Sequence, residues 1–248
     1  MPDDFKNSLE QRYLSTHYIR FMPKTPEGWA WVLERLRLNF GEALSSLSRG
    51  SRILDAPCGV GYLEHYLLKE GFQRLDCVDL CEEEMNMARQ KLAESGLNFE
   101  GKVRFILSDV FTYLEKVEPY DAIAVIDFLD HLKKDEVGEL LTLAHSALRP
   151  DGVLLLRVTN ADSPLFSQYF YRDFTHETGF TPNTIRQCLD AAGFKVENVD
   201  YEKVPCIKRT FVKSLKGRIR SAGLRVLARL LGIPRGAFAE DLIAVARK

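Results

Sequence analysis

The sequence predicts a doubly wound α/β fold, in which helices cover both faces of a largely parallel sheet. Short runs rich in Val, Ile and Leu alternate with helical segments from about residue 50 onward. The runs lack a strict alternation of apolar and polar residues, which is typical of strands buried on both faces of a parallel sheet. A glycine-rich turn follows the first run and opens a helix. Repeated alternation of strand and helix is the pattern of this fold class.

Seven strands are predicted in chain order. They lie at Arg52–Ala56, Arg74–Leu80, Val103–Ser108, Asp121–Ile126, Gly152–Val158, Phe194–Val204 and Leu242–Ala246. Each of the first five is short and apolar, and helical segments lie between them. The sixth and seventh strands follow the last predicted helix, and a basic segment separates them.

Three of the helical segments have clear sequence signals. They are Cys81–Ser95, Lys134–Leu148 and the segment from Pro182 to Gly193. The first places Met85, Ala88 and Leu92 on one face and has acidic residues in its first turn. The second ends in the turn signal Arg-Pro-Asp-Gly at 149–152. The third has Thr181 as its N-cap, with proline at the first helical position.

The length of 248 residues suits one large α/β domain or two small ones, and 46% hydrophobic residues suffice for a sizeable core. We predict an N-terminal helical cap at residues 1–48 and a main domain at residues 49–248. The longest apolar runs hold about five residues, whereas a membrane-spanning helix needs about 18 or more. The N-terminus has neither a basic start nor an apolar stretch, so no secretory signal is expected.

The cysteines and histidines predict a reducing compartment and no metal site. Five cysteines form no CxxC pair. Together with the missing signal peptide, this indicates reduced thiols in the cytoplasm. Five histidines are scattered without an HxxxH or HExxH pattern, so no metal site is predicted.

Charge is distributed unevenly along the chain. The formal net charge is −1, yet residues 207–239 hold nine basic side chains and no acidic one, so the rest of the chain carries −10. Apolar residues from Phe211 to Leu230 recur there at helical spacing, which is typical of cationic amphipathic helices. Two alternatives stay open for this insertion. Its apolar face packs over the substrate pocket, or the segment contacts an anionic membrane or a charged acceptor. The expected location is the cytoplasm or the inner membrane face, and no nucleic acid partner is expected.

The strongest functional signal is the segment Ile53–Gly61, with the sequence ILDAPCGVG. A buried strand ends in Asp55 and runs into a turn that contains Gly59 and Gly61. Glycine allows the backbone to approach a ligand closely and to adopt a positive φ. The helix that follows offers unpaired backbone N–H groups to a negatively charged group. At the carboxyl ends of the strands this arrangement indicates a nucleotide-type site.

The glycine spacing does not fit a dinucleotide site. The pattern GxGxxG requires a third glycine where Glu64 stands. A carboxylate there is a poor neighbour for a pyrophosphate, so a nicotinamide oxidoreductase is disfavoured.

The form Asp-x-x-Cys-Gly-x-Gly instead resembles motif I of class I S-adenosylmethionine-dependent methyltransferases. Other markers of that family follow in register. The second strand ends in Asp79 and the third in Asp109. Residues 126–132 (IDFLDHL) are similar to the family segment beside the methionine moiety and the acceptor, and LDAAGF at 189–194 is also common there. The resemblance covers about residues 50–205 and the last strand.

The resemblance implies a Rossmann-like sheet with the strand order 3-2-1-4-5-7-6 and an antiparallel last strand. It also implies S-adenosyl-L-methionine as the cofactor. An acid at Asp79 would bind the ribose hydroxyls, which two carboxylate oxygens satisfy well. Asp109 would accept from the adenine amino group, with Val110 beside the ring. The predicted cofactor-binding residues are Asp55, Cys58, Gly59, Gly61, Asp79, Leu80, Asp109, Val110 and Asp127.

A second resemblance concerns the acceptor. Residues 171–177 (YRDFTHE), followed by FTP at 180–182, are similar to a segment of bacterial methyltransferases associated with cell-surface polysaccharide and sugar modification. Residues 12–18 (RYLSTHY) match the lid helix of that family. The implied reaction is O-methylation of a sugar, a glycan or a related small acceptor.

Methyl transfer to a hydroxyl needs a group that accepts the hydroxyl proton, and a histidine with a pKa near neutrality suits that task. We predict His176 as this base, oriented by Glu177 or Asp173, with His131 as the second candidate. Two other functions stay open. One is methylation of a quinone, lipid or other metabolite at the membrane surface, and the other is a non-catalytic S-adenosylmethionine-binding module.

Overall fold

A computed structural model describes residues 22–205, 222–223, 226–230 and 232–248. It contains a seven-stranded sheet with the order β3-β2-β1-β4-β5-β7-β6. The strands are β1 (Arg52–Asp55), β2 (Arg74–Asp79), β3 (Val103–Leu107), β4 (Tyr120–Ile126), β5 (Leu148–Thr159), β6 (Lys195–Tyr201) and β7 (Asp241–Arg247). The helices are α1 (Pro26–Ser45), α2 (Tyr62–Lys69), α3 (Glu82–Glu94), α4 (Val110–Leu114), α5 (Lys134–Ala147), α6 (Phe166–Phe170) and α7 (Pro182–Ala191). Short 3₁₀ turns lie at Leu129–His131 and Arg235–Phe238.

The strand directions confirm the predicted topology. β1 pairs in parallel with β2 and β4, and the parallel part extends to β3 on one side and to β5 on the other. β7 runs antiparallel between β5 and β6. Because the parallel strands end at the same edge of the sheet, the loops that follow them meet there.

Two apolar layers hold the helices on the sheet. On one face, α5 and α7 pack through fully buried residues such as Leu140 and Leu189. On the other face, α1 and α2 pack through Phe40 and Leu67. The fold therefore buries both faces of the central strands, as the apolar runs predict.

The N-terminal cap is described from residue 22 onward. Thr25 caps α1, since its Oγ1 accepts a hydrogen bond from the Gly28 N–H at 3.2 Å, and Pro26 holds the first helical position. Leu36 of α1 is buried against the same core as α2. The rest of the predicted cap, which includes the predicted lid segment 12–18, lies outside the described residues.

Two strands differ from the sequence-based expectation. Burial on both faces is wrong for β3, because β3 is an edge of the sheet and Leu107 is 56% exposed there. β5 begins at Leu148 rather than at Gly152, since Leu148 pairs with Tyr120 on β4. The predicted turn is present as an irregularity inside β5, with Asp151 at a φ of 61°.

The basic insertion 207–239 is described only in part, and residues 207–221 lie outside the described ranges. Val226 and Leu230 belong to the predicted apolar face, yet they are 59% and 79% exposed, whereas Ala228 is buried. None of the insertion residues that the structure describes lines the large cavity at the carboxyl edge of the sheet. Packing of the apolar face over the pocket is therefore not seen in this part. Across the described ranges, no helix combines the length and the apolar character needed to cross a membrane.

Asp76 on β2 is the centre of a polar cluster that joins four strands. Its carboxylate accepts hydrogen bonds from Arg52 at 2.8 Å, from Arg104 at 2.9 Å and from the Tyr120 hydroxyl at 2.7 Å. Burial raises the pKa of Asp76, but the hydrogen bonds from Arg104, Tyr120 and Arg52 outweigh burial and bring the pKa below its ordinary value. The ionised carboxylate therefore stabilises the folded chain.

The variant Asp76→Asn is expected to lower the free energy of unfolding at neutral pH by about 1–3 kcal/mol, because it removes hydrogen bonds that involve charged groups. A carboxyl with a lowered pKa stabilises the fold above its unfolded pKa, and this contribution is lost as the pH falls through the folded pKa. The gap between wild type and variant should therefore shrink below about pH 4. Urea unfolding at neutral and acid pH measures this gap. Asp190→Asn, at an exposed position of α7, is the control and should change stability by less than about 0.5 kcal/mol. Equal stability of Asp76→Asn and wild type at neutral pH would contradict the prediction.

Candidate active site

The turn after β1 forms one wall of a cavity at the carboxyl edge of the sheet. Gly59 and Gly61 adopt φ values of 51° and 80°, in the left-handed region that favours glycine. A Cβ atom at position 61 would lie 2.8 Å from the Cβ of Ala88 on α3, so even alanine does not fit. Gly61 is also the N-cap of α2 and supplies no side-chain cap. Position 61 therefore offers no side-chain acceptor to the first N–H groups of α2, and a helix start of this kind favours a negatively charged group.

Asp79 at the end of β2 ties this turn to the neighbouring strand. Its Oδ2 accepts from the Gly59 N–H at 2.8 Å, and its Oδ1 accepts from the Cys81 N–H at 2.9 Å. Burial raises the pKa of Asp79 above its ordinary value, although these backbone hydrogen bonds oppose the shift. Each carboxylate oxygen has a further lone pair, and Asp79 lines the cavity. This geometry fits the predicted ribose contact.

The predicted adenine side of the site lies beyond Asp79. Leu80 and Val110 line the cavity and give it an apolar surface. Asp109 is the N-cap of α4, where its Oδ1 accepts from the Thr112 N–H at 2.9 Å. The structure thus shows a capping role for Asp109. Asp109 also lines the cavity, and its contact with adenine stays a prediction.

Two buried carboxyl groups lie beneath the glycine turn. Asp55 and Glu64 are 4% and 1% exposed. Burial raises the pKa of both groups, and the charge of Glu64 raises that of Asp55 further. The Cys77 thiol donates to Glu64 Oε1 at 3.1 Å. Among the described residues, no donor reaches Oδ1 of Asp55. This oxygen is itself buried, and a side-chain hydrogen bond couples the Asp55 and Glu64 carboxyl groups, so the pair supports the glycine turn from beneath.

Cys58 lies in the turn after β1, where a catalytic nucleophile could stand, but its thiol is not activated. A hydrogen bond with Cys77 lowers the pKa of Cys58, but burial and the nearby carboxyl groups outweigh it and raise the pKa to about 12. Its thiol is therefore protonated at neutral pH and unreactive. The four cysteines in the described part of the chain are all free thiols.

Asp127, which follows β4, belongs to a network of ion pairs. Its carboxylate makes two hydrogen bonds with the guanidinium of Arg157, one of them 2.5 Å long. Burial raises the pKa of Asp127, but Arg157 outweighs burial and lowers it. Arg157 also lies 3.9 Å from Glu202, and Arg35 on α1 binds Glu202 at 2.5 Å and Asp241 at 2.6 Å. The network joins α1 and β7 to the cavity wall, and a direct contact of Asp127 with the cofactor stays a prediction.

His131, Asp173 and His176 come together on another wall of the same cavity. The two imidazole rings meet edge to face with 4.7 Å between their centroids. His131 Nδ1 lies 2.8 Å from Thr175 Oγ1, and Thr175 Oγ1 donates to Asp173 Oδ1 at 2.7 Å. A hydroxyl has only one proton, so His131 Nδ1 must be the donor to Thr175. The hydrogen bonds thus assign the lone pair of His131 to Nε2.

His176 is oriented by a group other than the two predicted ones. Its Nδ1 lies 2.9 Å from the carbonyl oxygen of Phe170, so neither Glu177 nor Asp173 makes that hydrogen bond. A carbonyl only accepts, so Nδ1 carries the proton and Nε2 carries the lone pair. Glu177 is exposed at the cavity, and Asp173 acts on His131 through Thr175.

Asp130 connects the two loops that hold the histidines. Its backbone oxygen accepts from the Glu177 and Thr178 N–H groups at 2.7 and 3.0 Å, and its Oδ2 accepts from the backbone and the hydroxyl of Thr159. Burial raises the pKa of Asp130 to about 6, although the hydrogen bond from Thr159 opposes the shift. Asp130 therefore sets the position of the loop that contains His176.

Residues 28–199 match the sequence model of a methyltransferase domain family. The chain belongs to this family. The match extends from α1 into β6 and so contains most of the residues that line the cavity. It confirms the predicted class, a class I S-adenosylmethionine-dependent methyltransferase, and with it the predicted cofactor.

Individual proteins agree with this assignment of the methyltransferase domain. A ubiquinone biosynthesis O-methyltransferase of Xylella fastidiosa is 32% identical over 138 residues, which cover 56% of this chain and 53% of that protein. The chain spans about half the length of the curated relatives it matches. A solved S-adenosylmethionine-dependent methyltransferase from Archaeoglobus fulgidus superposes with a TM-score of 0.66 at 23% identity, over 94% of this chain and 100% of that one. Magnesium protoporphyrin IX methyltransferase from Synechocystis, solved with S-adenosylhomocysteine, gives 0.65 at 16% identity, over 98% and 99% of the two chains. Both structures share the fold.

The methyltransferase cavity fits its cofactor. Its volume of 1330 Å³ exceeds the roughly 300–1,000 Å³ of ordinary small-molecule sites, so it has room for a donor and an acceptor. The start of α2 and the Asp79 carboxylate lie along its wall. They would hold a carboxylate and a ribose respectively.

Several residues of the methyltransferase site are not among those predicted from the sequence. Arg157 and Asp130 have no local motif, although Asp130 directly precedes His131 after a strand and could have been noticed for that reason. Trp31 and Arg35 also line the cavity, and they come from the cap helix, for which the sequence gives no chemical signal.

Proposed function

We propose that this methyltransferase transfers the methyl group of S-adenosylmethionine to a hydroxyl oxygen of a small-molecule acceptor. The observation that carries the proposal is the shared cavity. His131 and His176 line the same space as the glycine turn and Asp79. The sulfonium of the cofactor supplies a methyl group that is already activated. The protein therefore has to align the acceptor oxygen and to remove its proton.

His176 is suited to accept that proton at Nε2. The Phe170 carbonyl fixes its tautomer and ring orientation, and this hydrogen bond persists when the ring becomes an imidazolium. Asp130 and Glu177 line the cavity beside it, and their carboxyl groups favour the positive charge that develops on the ring.

The acceptor side of the cavity favours a hydroxylated ring. Phe128, Tyr169 and Phe174 line it together with the histidines. Aromatic side chains of this kind pack well against the face of a flat ring. The names of the ubiquinone relatives support a phenolic or quinol acceptor, which is one of the alternatives left open by the sequence. The sugar acceptor implied by residues 171–177 finds no support in these relatives and serves as the competing arm of the test.

The test is methyl transfer by the full chain with S-adenosylmethionine and a panel of phenols, quinols and hydroxylated sugars. Mass spectrometry of the products is expected to show the gain of one methyl group on oxygen of a ring acceptor. Methylation of sugars alone would overturn the acceptor class. Binding of S-adenosylhomocysteine without turnover of any acceptor would favour the non-catalytic module.

The variant Asp79→Ala is expected to weaken S-adenosylhomocysteine binding about tenfold or more, because hydrogen bonds to a charged group contribute about 1.5–3 kcal/mol. Isothermal titration calorimetry measures the change. Glu82→Ala removes an exposed acid from the first turn of α3 and should leave the affinity unchanged. Thermal unfolding of both variants shows whether the domain remains folded. An unchanged affinity in folded Asp79→Ala would remove Asp79 from the cofactor site.

A further inference from the structure

His131, Asp173 and His176 form a donor set that a metal ion can recognise. One potential ligand atom of each residue lies within 4.8 Å of those of the other two. Two imidazoles and one carboxylate suit divalent transition metals, and this set leaves coordination positions open for other ligands. The residues come from two separate loops, so no metal-binding motif marks them in the sequence.

The hydrogen bonds around the cluster resemble those of metal-bound histidines. Nδ1 of His131 and Nδ1 of His176 donate to Thr175 Oγ1 and to the Phe170 carbonyl. Histidine ligands usually donate their second N–H to such an oxygen, which fixes the tautomer and orients the ring. Because these bonds place the proton of each ring on Nδ1, a metal would bind each ring through Nε2. Thr175 also holds Asp173, so one residue positions two of the three ligands.

The charges around the cluster provide a second, independent observation. Asp130 is only 3% exposed, lines the same cavity, and has no hydrogen-bond partner at Oδ1 among the described residues. Glu177 adds a further carboxylate to this wall. The guanidinium groups of Arg157 and Arg172 are paired with acids. A buried carboxyl oxygen without a donor favours a cation nearby.

We propose that His131, Asp173 and His176 bind a divalent transition-metal ion, which in turn binds the acceptor hydroxyl. This proposal rests on the proposed function and deepens it. Ligands about 2.1 Å from a metal lie roughly 3–4 Å apart, so the side chains would approach one another by about 1 Å.

Metal binding changes where the proton of the acceptor hydroxyl goes. Coordination makes the hydroxyl more acidic, so its proton passes to solvent while both histidines act as ligands. The new C–O bond forms as the C–S bond of the methyl donor breaks, and nothing is oxidised or reduced. In the metal-free protein, His176 accepts the proton instead.

The test is titration of the full chain with Co²⁺ alone. The expected result is one Co²⁺ per chain, with the visible absorption of nitrogen and oxygen ligands and without the intense thiolate band that cysteine ligands give. His131→Ala, Asp173→Asn and His176→Ala should each raise the Kd at least about tenfold, and Thr175→Val about tenfold through lost orientation. The control is His145→Ala, since His145 packs against Phe194 and does not line the cavity.

The outcomes separate this proposal from the proposed function. Absence of Co²⁺ binding, or binding that the three ligand variants leave unchanged, overturns the metal site. If methyl transfer then continues in the presence of a chelator, the proposed function stands without a metal. Co²⁺ binding that depends on the three ligands, in a protein that methylates no acceptor, supports the metal site and overturns the proposed function.

Discussion

Replacing His176 with alanine is expected to lower kcat about 10²–10⁴-fold, while the affinity for S-adenosylhomocysteine stays unchanged. The loss follows because His176 Nε2 either accepts the acceptor proton or binds the ion that acidifies the hydroxyl, and general bases contribute rate factors of that size. The side chain is held by the Phe170 carbonyl and lies on the histidine wall of the cavity, so its removal leaves the glycine turn and Asp79 intact. Steady-state kinetics at saturating acceptor and calorimetry with S-adenosylhomocysteine measure the two effects.

Two further variants show whether the loss is chemical. His176→Gln retains a donor for the Phe170 carbonyl but has no proton-accepting nitrogen, so it should be as slow as alanine. His145→Ala removes a histidine from the α5–β6 region, where it packs edge to face on Phe194, and kcat should not change. Full turnover of His176→Ala at saturating acceptor would show that His176 is not the base.

The variant Arg157→Met is expected to lower the free energy of unfolding by about 2 kcal/mol. Arg157 is 8% exposed and lies between the carboxylates of Asp127 and Glu202. The variant removes the hydrogen bonds between Arg157 and Asp127, and hydrogen bonds to charged groups contribute about 1.5–3 kcal/mol, whereas Glu202 keeps its ion pair with Arg35. The lower end applies here, since Asp127 faces the cavity, where water screens its charge. Urea unfolding measures the change in stability.

A matched control exists on the protein surface. Arg149 pairs with Asp121 at 2.7 Å, but its side chain is 48% exposed. Arg149→Met should therefore cost less than about 1 kcal/mol. The double variant Arg157→Met, Asp127→Asn should recover part of the stability, because it removes the carboxylate charge that has lost its partner and asparagine tolerates the φ of 54° at position 127. Equal losses for Arg157→Met and Arg149→Met would show that burial of the network contributes nothing.

The sequence predicts the fold and the position of the glycine turn well because their signals are local. The strand that ends in Asp55 and the glycines that follow are contiguous, and a left-handed turn there requires glycine at position 61. Asp79 ends the next apolar run, and parallel strands bring their ends together at one edge. N-cap and proline signals likewise give the start of α7 at Thr181.

The acceptor half depends on contacts that sequence patterns do not encode. The group that orients His176 is the backbone carbonyl of Phe170, and any residue type at that position would offer the same atom. His131 and Asp173 meet only because the loop after β5 folds back over the end of β4, with Thr175 between them. A spacing rule such as HxxxH finds ligands within one helix, so it cannot find this cluster.

Because Gly61 and Ala88 lie close together, the same lack of space restricts substitutions at both positions. The space that a Cβ at position 61 would need is already taken by the Cβ of Ala88. Glycine is already the smallest residue. A side chain larger than alanine at position 88 would therefore clash with the backbone of the glycine turn. A helix position that touches no ligand is thereby as restricted as the turn itself. A saturation library would group Ala88 with the glycines of this turn, although an apolar residue inside α3 would otherwise be expected to vary with the core.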